Sequence, residues 1–171
     1  MNSREKLLAA TRACLLELGH GATTIKAIAT RAGVNHGLIH HYFGSKENLV
    51  LEVVSMEQKT LLEKVTSQPN ENVIPTIIRE LVENPERAGL FVEILSLAGQ
   101  MPQAAEGVRN ALRVRDEMIH KKMGVEDPGL RWLVGSALLG LALTRRIEPN
   151  VPVDKVVQQI HKIMIKHKQQ S

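Results

Sequence analysis

Apolar residues along the chain recur at helical spacing, and no stretch alternates with the period of a strand. Asn2 and Glu5 have the spacing of a capping box. Leu7, Leu8, Thr11, Cys14, Leu15 and Leu18 then follow on one helical face, and Gly19 is a natural stop. Thr24 is placed to cap a second helix that turns Ile25, Ile28, Ala29 and Ala32 inward, with Gly33 as its breaker. Asn35 caps a third, very short helix that runs to about Tyr42 and ends at Gly44. Ser45 caps a fourth, which continues through Leu49, Val53 and Leu61 toward Val65. Two short helices are thus joined by the tight turn Ala32-Gly33-Val34-Asn35.

Beyond residue 66 the punctuation is proline. Pro75 falls in a first helical turn, and Asn84-Pro85 and Asp127-Pro128 are cap-then-proline pairs, where the missing N–H costs nothing. Pro102 and Pro152 also mark helix starts. The pattern predicts helices over 72–83, 85–99, 102–123, 128–147 and 152–168. The expectation is an all-α chain of about nine helices, divided into residues 1–48 and 49–171. There is no internal repeat and no low-complexity segment.

Aromatic residues are only 2% of the chain, so Leu, Ile, Val, Ala and Met must fill the core. The single cysteine, Cys14, permits no internal disulfide and sits on the buried face, where it packs as a small apolar group. The start, MNSREK, is polar and does not resemble a signal peptide. The uncharged run from Trp132 to Thr144 has 13 residues between Arg131 and Arg145, short of the ~20 that a spanning helix needs. A soluble, cytoplasmic protein without membrane contact is expected.

Charge is uneven. Of a net +4, residues 1–50 carry six Lys and Arg against three Glu, or +3, and the remainder carries sixteen against fifteen, or +1. A basic end suggests an anionic partner there.

The same end holds His36, His40 and His41 within six positions, followed by Tyr42 and Phe43. A metal site needs more ligands, and Asp, Glu and Cys are absent from 18 to 46. Catalysis by a histidine base needs an orienting carboxylate, and none is suitably placed. Neither GxGxxG nor GxxxxGK[ST] occurs. No enzyme, metal or cofactor is expected. The third use of such residues is the reading of nucleic acid. With Leu38 or Ile39 and Phe43 turned inward, the short helix presents His36, Gly37, His40, His41 and Tyr42 outward. Gly37 permits close approach to a groove wall, and a recognition helix contacts base edges through its N-terminal residues. Tyr42 and Lys46 suit phosphates. A histidine ordinarily titrates near ~6.5, so affinity is expected to rise from about pH 8 to about pH 6 if His36 and His40 act partly as cations.

The string TTIKAIATRAGVNHGLIHHYFGSKENL, within residues 3–55, resembles the DNA-binding signature of the TetR family of bacterial repressors. The shared elements are Thr23-Thr24, Ile28-Ala29, Ala32-Gly33-Val34, a small polar cap at Asn35, Gly37, and Tyr42-Phe43-Gly44-Ser45-Lys46-Glu47 with Leu49. The resemblance implies a three-helix helix-turn-helix domain followed by a helical ligand-binding and dimerisation domain. It implies that Thr24 and Lys26 meet a phosphate, that His36, Gly37, Leu38, His40 and His41 lie on the reading helix, and that Tyr42 and Lys46 hold the DNA backbone. The family commonly has Tyr where this chain has His40, so base preference at that position is not carried over.

Residues 49–171 carry no sharp motif. By the same resemblance they bind a small effector and make a homodimer through the last two helices. WLVGSALLGLAL sets small residues among leucines, and Val153, Val156, Val157, Ile160, Ile163 and Met164 follow at helical spacing. An ordinary intramolecular core has the same appearance. Phe91, Ile94, Leu95, Met101, Met118 and Trp132 are the candidate pocket lining, and a charged ligand would draw on Glu93, Arg109, Arg113 or Arg115. The end GLIHHYFGSKENL looks most like the choline-responsive branch of the family, but Phe91 and Trp132 alone supply an aromatic cage poorly. The expected function is a TetR-type regulator, a repressor that binds a palindromic double-stranded DNA operator as a dimer and is released by a small molecule. The alternative is a DNA-binding protein of the same fold without a small-molecule ligand, under architectural or protein control.

Overall fold

The computed structural model of the chain describes residues 1–99 and 101–168. Among these residues the regular structure is helical, with nine α-helices: α1 (Ser3–Ala22), α2 (Ile25–Ala32), α3 (Gly37–Phe43), α4 (Lys46–Thr66), α5 (Val73–Ile77), α6 (Pro85–Ala98), α7 (Pro102–Met123), α8 (Pro128–Arg145) and α9 (Val153–Lys168). They form two compact units, one of Met1–Thr60 with Gly89–Arg109, the other of Leu61–Ala88 with Asn110 onward.

In the first unit the caps follow from the local sequence. Asn2 accepts from the Glu5 N–H at 2.9 Å and Glu5 returns the bond to the Asn2 N–H at 3.0 Å, which satisfies two donors that a helix start leaves free. Gly19 breaks α1 at φ 72°, ψ 169°, and a last turn follows to Ala22. Leu7, Leu8, Thr11, Cys14 and Leu15 are buried as the spacing predicts. Leu18 is not: it is exposed, lying past Leu15, the last buried residue of α1, and next to the break. Thr11 and Thr23, fully buried, give their hydroxyl hydrogens to the carbonyls of Leu7 and Gly19, so neither buried polar group is left unpaired.

The second unit has a core of Val65, Val73, Ile74, Ile77, Ile119, Met123, Val125, Leu130, Val134, Leu138, Ile160 and Met164. The single helix expected over 72–83 is three pieces: a 3-10 turn (Asn70–Asn72), α5, and a π turn (Ile78–Val82) closed by the Glu83 N–H on the Ile78 carbonyl at 2.9 Å. Pro75 has no N–H to donate to the Glu71 carbonyl, so the α ladder of α5 does not run back into the 3-10 turn. The expected ends at 99, 147 and 152 lie one or two residues outside the observed ones. The cap at Asp127 forms, accepting from Leu130 N–H at 2.6 Å.

No helix among the described residues is long and apolar enough to cross a membrane.

Candidate nucleic-acid interface

Seven residues cannot hold a helix by themselves in water; α3 is held by what lies behind it and at its ends. Ile39 is fully buried and Phe43 nearly so, which settles the inward residues as Ile39 and Phe43, with Leu38 half-buried. The Arg4 guanidinium stands 5.2 Å over the Phe43 ring and pairs with Glu52 of α4.

The turn that delivers α3 is closed on both sides. Thr24 caps α2, accepting from the Ala27 N–H at 3.1 Å. Gly33 ends α2 in the left-handed region at φ 64°, ψ 38°. The Val34 N–H then reaches back to the Ala29 carbonyl at 3.1 Å and the Gly33 N–H to Thr30 at 3.2 Å, as in a Schellman ending. Asn35 provides the entry to α3: its side-chain oxygen accepts from the Gly37 N–H at 2.8 Å. His36, already helical at φ −61°, ψ −26°, makes no side-chain cap. At the far end Ser45 caps α4 on the Asn48 N–H, and Asn48 donates its amide to the Phe43 carbonyl at 3.0 Å. Sequence reasoning missed Asn48, because an amide two residues into a new helix carries no signal of a bond to the helix before it.

The outward positions are those expected. Thr24, Lys26, His36, Gly37, His40, His41 and Tyr42 are exposed, and Leu38 and Lys46 are half-buried. The His41 and Tyr42 rings meet edge to face at 4.9 Å. The Gly44 carbonyl lies 3.0 Å from His40 Nδ1. A carbonyl only accepts, so Nδ1 carries the hydrogen. The remaining Nε2 is an acceptor when the ring is neutral and a donor when it is charged. Gly37 is crowded on one side, since a Cβ there would stand 3.2 Å from the Asn35 side-chain oxygen.

Charge on this surface is arranged by Glu17 and Arg31. Arg31 is exposed on α2 but is held by a two-pronged bond to Glu17, both contacts at 2.5 Å. The hydrogen bond from Arg31 lowers the Glu17 pKa, with desolvation opposing it and the charge of Arg31 adding to it. The Glu17 carboxylate is thereby paired with a cation of α2. His20, at the end of α1, has its pKa lowered first by burial and then by the charge of Lys46, with Glu93 and Glu47 opposing. Glu93 of α6 accepts from the His20 N–H at 2.7 Å. Among the described residues no three His, Cys, Asp or Glu side chains gather where they could hold a metal ion.

The candidate effector residues fall in different places. Ile94 is buried in the first unit, Phe91 and Met101 are half-buried, and Leu95 is exposed. Met118 packs partly against the core of the second unit, where Trp132 is exposed.

A sequence model described as bacterial regulatory proteins, tetR family, matches residues 7–53, the segment that holds every element of this surface. The HTH-type transcriptional repressor AcnR of Corynebacterium glutamicum is 34% identical over 100 residues, covering 58% of this chain and 51% of that protein. The HTH-type transcriptional regulator UidR of Escherichia coli K12 is 24% identical over 169 residues, covering 92% and 85%. The aligned stretch spans about half the length of the AcnR proteins of two Corynebacterium species. The crystal structure of a transcriptional regulator from Rhodococcus sp. RHA1 superposes with a TM-score of 0.85 at 18% identity over 97% of both chains, which establishes the same all-helical fold. Over residues 7–53, its helix-turn-helix, the chain is similar to the TetR family of bacterial regulatory proteins.

Proposed function

We propose that the protein is a transcriptional repressor whose α3 reads the major groove of a palindromic operator, two copies acting together, and whose hold on DNA is released by a small molecule. The observation that carries this reading is the division of α3. Ile39 and Phe43 are locked behind it, while His36, Gly37, His40, His41 and Tyr42 stand in front. A rigid backing fixes where the outward donors lie, and base readout depends on that placement. Lys26 and Thr24 at the start of α2, and Tyr42 and Lys46 at the end of α3, flank the reading face as phosphate contacts.

Residues 1–48 supply the reading unit and residues 49–171 the effector and dimer functions. The name of the AcnR relative as a repressor supports the sign of regulation. One short helix spans few base pairs, and pairing two copies on a palindrome gives the affinity and specificity that one lacks. The last two helices suit this role, because apolar Leu133, Ile163 and Ile165 are exposed on α8 and α9. A ligand releases DNA only by binding the DNA-incompetent arrangement more tightly.

The test is fluorescence anisotropy on the DNA flanking the protein's own gene, at several salt concentrations. Sequence-selective, salt-steep binding is expected. Tyr42→Ala and Lys46→Ala each weaken it by roughly an order of magnitude, and Lys46→Ala also lowers the salt slope by about one phosphate. Weak binding that is equal on unrelated DNA and unchanged in both variants rejects the reading.

A further inference from the structure

The basic side chains around α7 and α8 are mostly engaged. Arg109 pairs with Glu106 at 2.8 Å. Arg131 pairs with Asp116 at 2.9 Å and donates to the Glu126 carbonyl at 2.6 Å. Arg115 differs. It is half-buried, its Nε is buried without an acceptor, and its guanidinium makes no hydrogen bond or ion pair among the described residues. Asp116, the acid beside it in sequence, is already taken by Arg131.

Two features of α8 hold this group in place. The Arg115 Cζ stands 5.0 Å from the centre of the Trp132 ring. One turn on, Gly135 leaves a notch: a Cβ there would come within 2.6 Å of Nε and 2.7 Å of Cζ. The guanidinium therefore occupies the space that the absent side chain leaves, beside the aromatic ring. A ring attracts the charge of a guanidinium but does not accept its N–H groups in the plane. Those donors form a fixed fork whose natural complement is a carboxylate taken by two parallel bonds. Burial is the larger influence on Arg115 and lowers its pKa, with Asp116 opposing. An arriving anion would relieve that penalty.

We propose that Arg115, Trp132 and Gly135 form a binding site for the carboxylate of a small organic acid. As the chemistry of the effector, this rests on the repressor reading above; as a binding site, it is tested without DNA.

Trp132 is the chain's one tryptophan, so its emission reports on the group stacked against it. The full chain is titrated with sodium acetate, benzoate, succinate and citrate, each against sodium chloride at matched ionic strength and pH. A saturable change in emission is expected with at least one acid. In Arg115→Gln the apparent affinity falls by about ten-fold or more. Arg115→Lys, which keeps the charge and loses the fork, falls with it, and circular dichroism establishes that both variants are folded. Gly135→Ala, which pushes the guanidinium out of its notch, weakens binding independently. No saturable change with any of the four acids overturns the proposal, as does an equal change in Arg115→Gln. Emission that follows protein concentration and ignores the acids also overturns it, by assigning the fork to a carboxylate of a second copy. Anisotropy of the same preparations on DNA separates the two readings. Acid binding without DNA binding leaves the site and removes the repressor; DNA binding without acid binding does the reverse.

Discussion

His20 and His40 both stand at the end of a helix, yet their surroundings give them different work. His40 gives its Nδ1 hydrogen to the Gly44 carbonyl and stands exposed. His20 Nδ1 is buried with no acceptor, and burial, then Lys46, disfavour its charged form. In the folded chain His20 therefore gives up its proton at a lower pH than in the unfolded chain. Where the unfolded state binds more protons, stability rises with pH. The contribution is complete above the ordinary histidine value of ~6.5 and is lost as pH falls through the depressed folded value. Thermal melts should show the midpoint declining from about pH 7.5 to about pH 5.5, and His20→Gln, uncharged throughout, should decline less. Parallel curves for the two proteins would show that His20 does not carry this dependence.

α3, the proposed reading helix, is the clearest case of an element made by its neighbours. α3 is seven residues long, and its position depends on the turn before it. Gly33 sits at φ 64° with nothing within 4 Å of a built Cβ. The demand there is conformational and not one of space. Asn tolerates that region better than Ala, and a β-branched residue tolerates it least. Urea unfolding should rank Gly33 above Gly33→Asn, then Gly33→Ala, then Gly33→Val, with the alanine variant losing about 1–2 kcal/mol. An alanine variant as stable as the parent would mean that the turn relaxes and does not set the angle of α3. This turn was legible in the sequence, because Thr24, Gly33, Asn35 and Ser45 act through bonds to residues two to four positions away. Leu18 and the π turn at Ile78–Val82 were not. Helical spacing names a face but not how far along the helix its packing extends, and a shift from i+4 to i+5 bonding follows from neighbours that the local sequence does not specify. Arg115 was legible as one of four candidate partners for a charged ligand, with Glu93, Arg109 and Arg113, but not as the one left without a partner of its own. Its isolation depends on Asp116 being taken by Arg131 and on a glycine twenty residues later in the chain.

At the scale of the whole molecule, the proposed action depends on two copies meeting, and α8 offers a test of that which leaves the single chain alone. Its inward face, Leu130, Val134, Leu138 and Leu141, is buried in the chain's own core. Its other face runs Trp132 and Leu133, Ser136, Gly140 and Thr144, all exposed, at the spacing of one helical turn. Leu133 is 56% exposed there, and Ile163 and Ile165 of α9 are 45% and 58% exposed. Apolar side chains this open on adjacent elements gain from cover, at roughly 25 cal/mol for each Å² removed from water. Gly140 separates cover by a second copy from no cover, because a Cβ on it meets no atom within 4 Å among the described residues beyond its own helix backbone. Gly140→Arg should therefore keep the helical circular dichroism and the melting temperature of an isolated chain, while placing a long cation where two α8 helices would pack. Sedimentation should show the parent as a dimer and the variant shifted to monomer. Operator affinity should fall by about ten-fold or more, since each copy then binds alone. A variant that remains dimeric and still holds the operator would move the interface off this face of α8 and leave the exposed apolar residues to another partner.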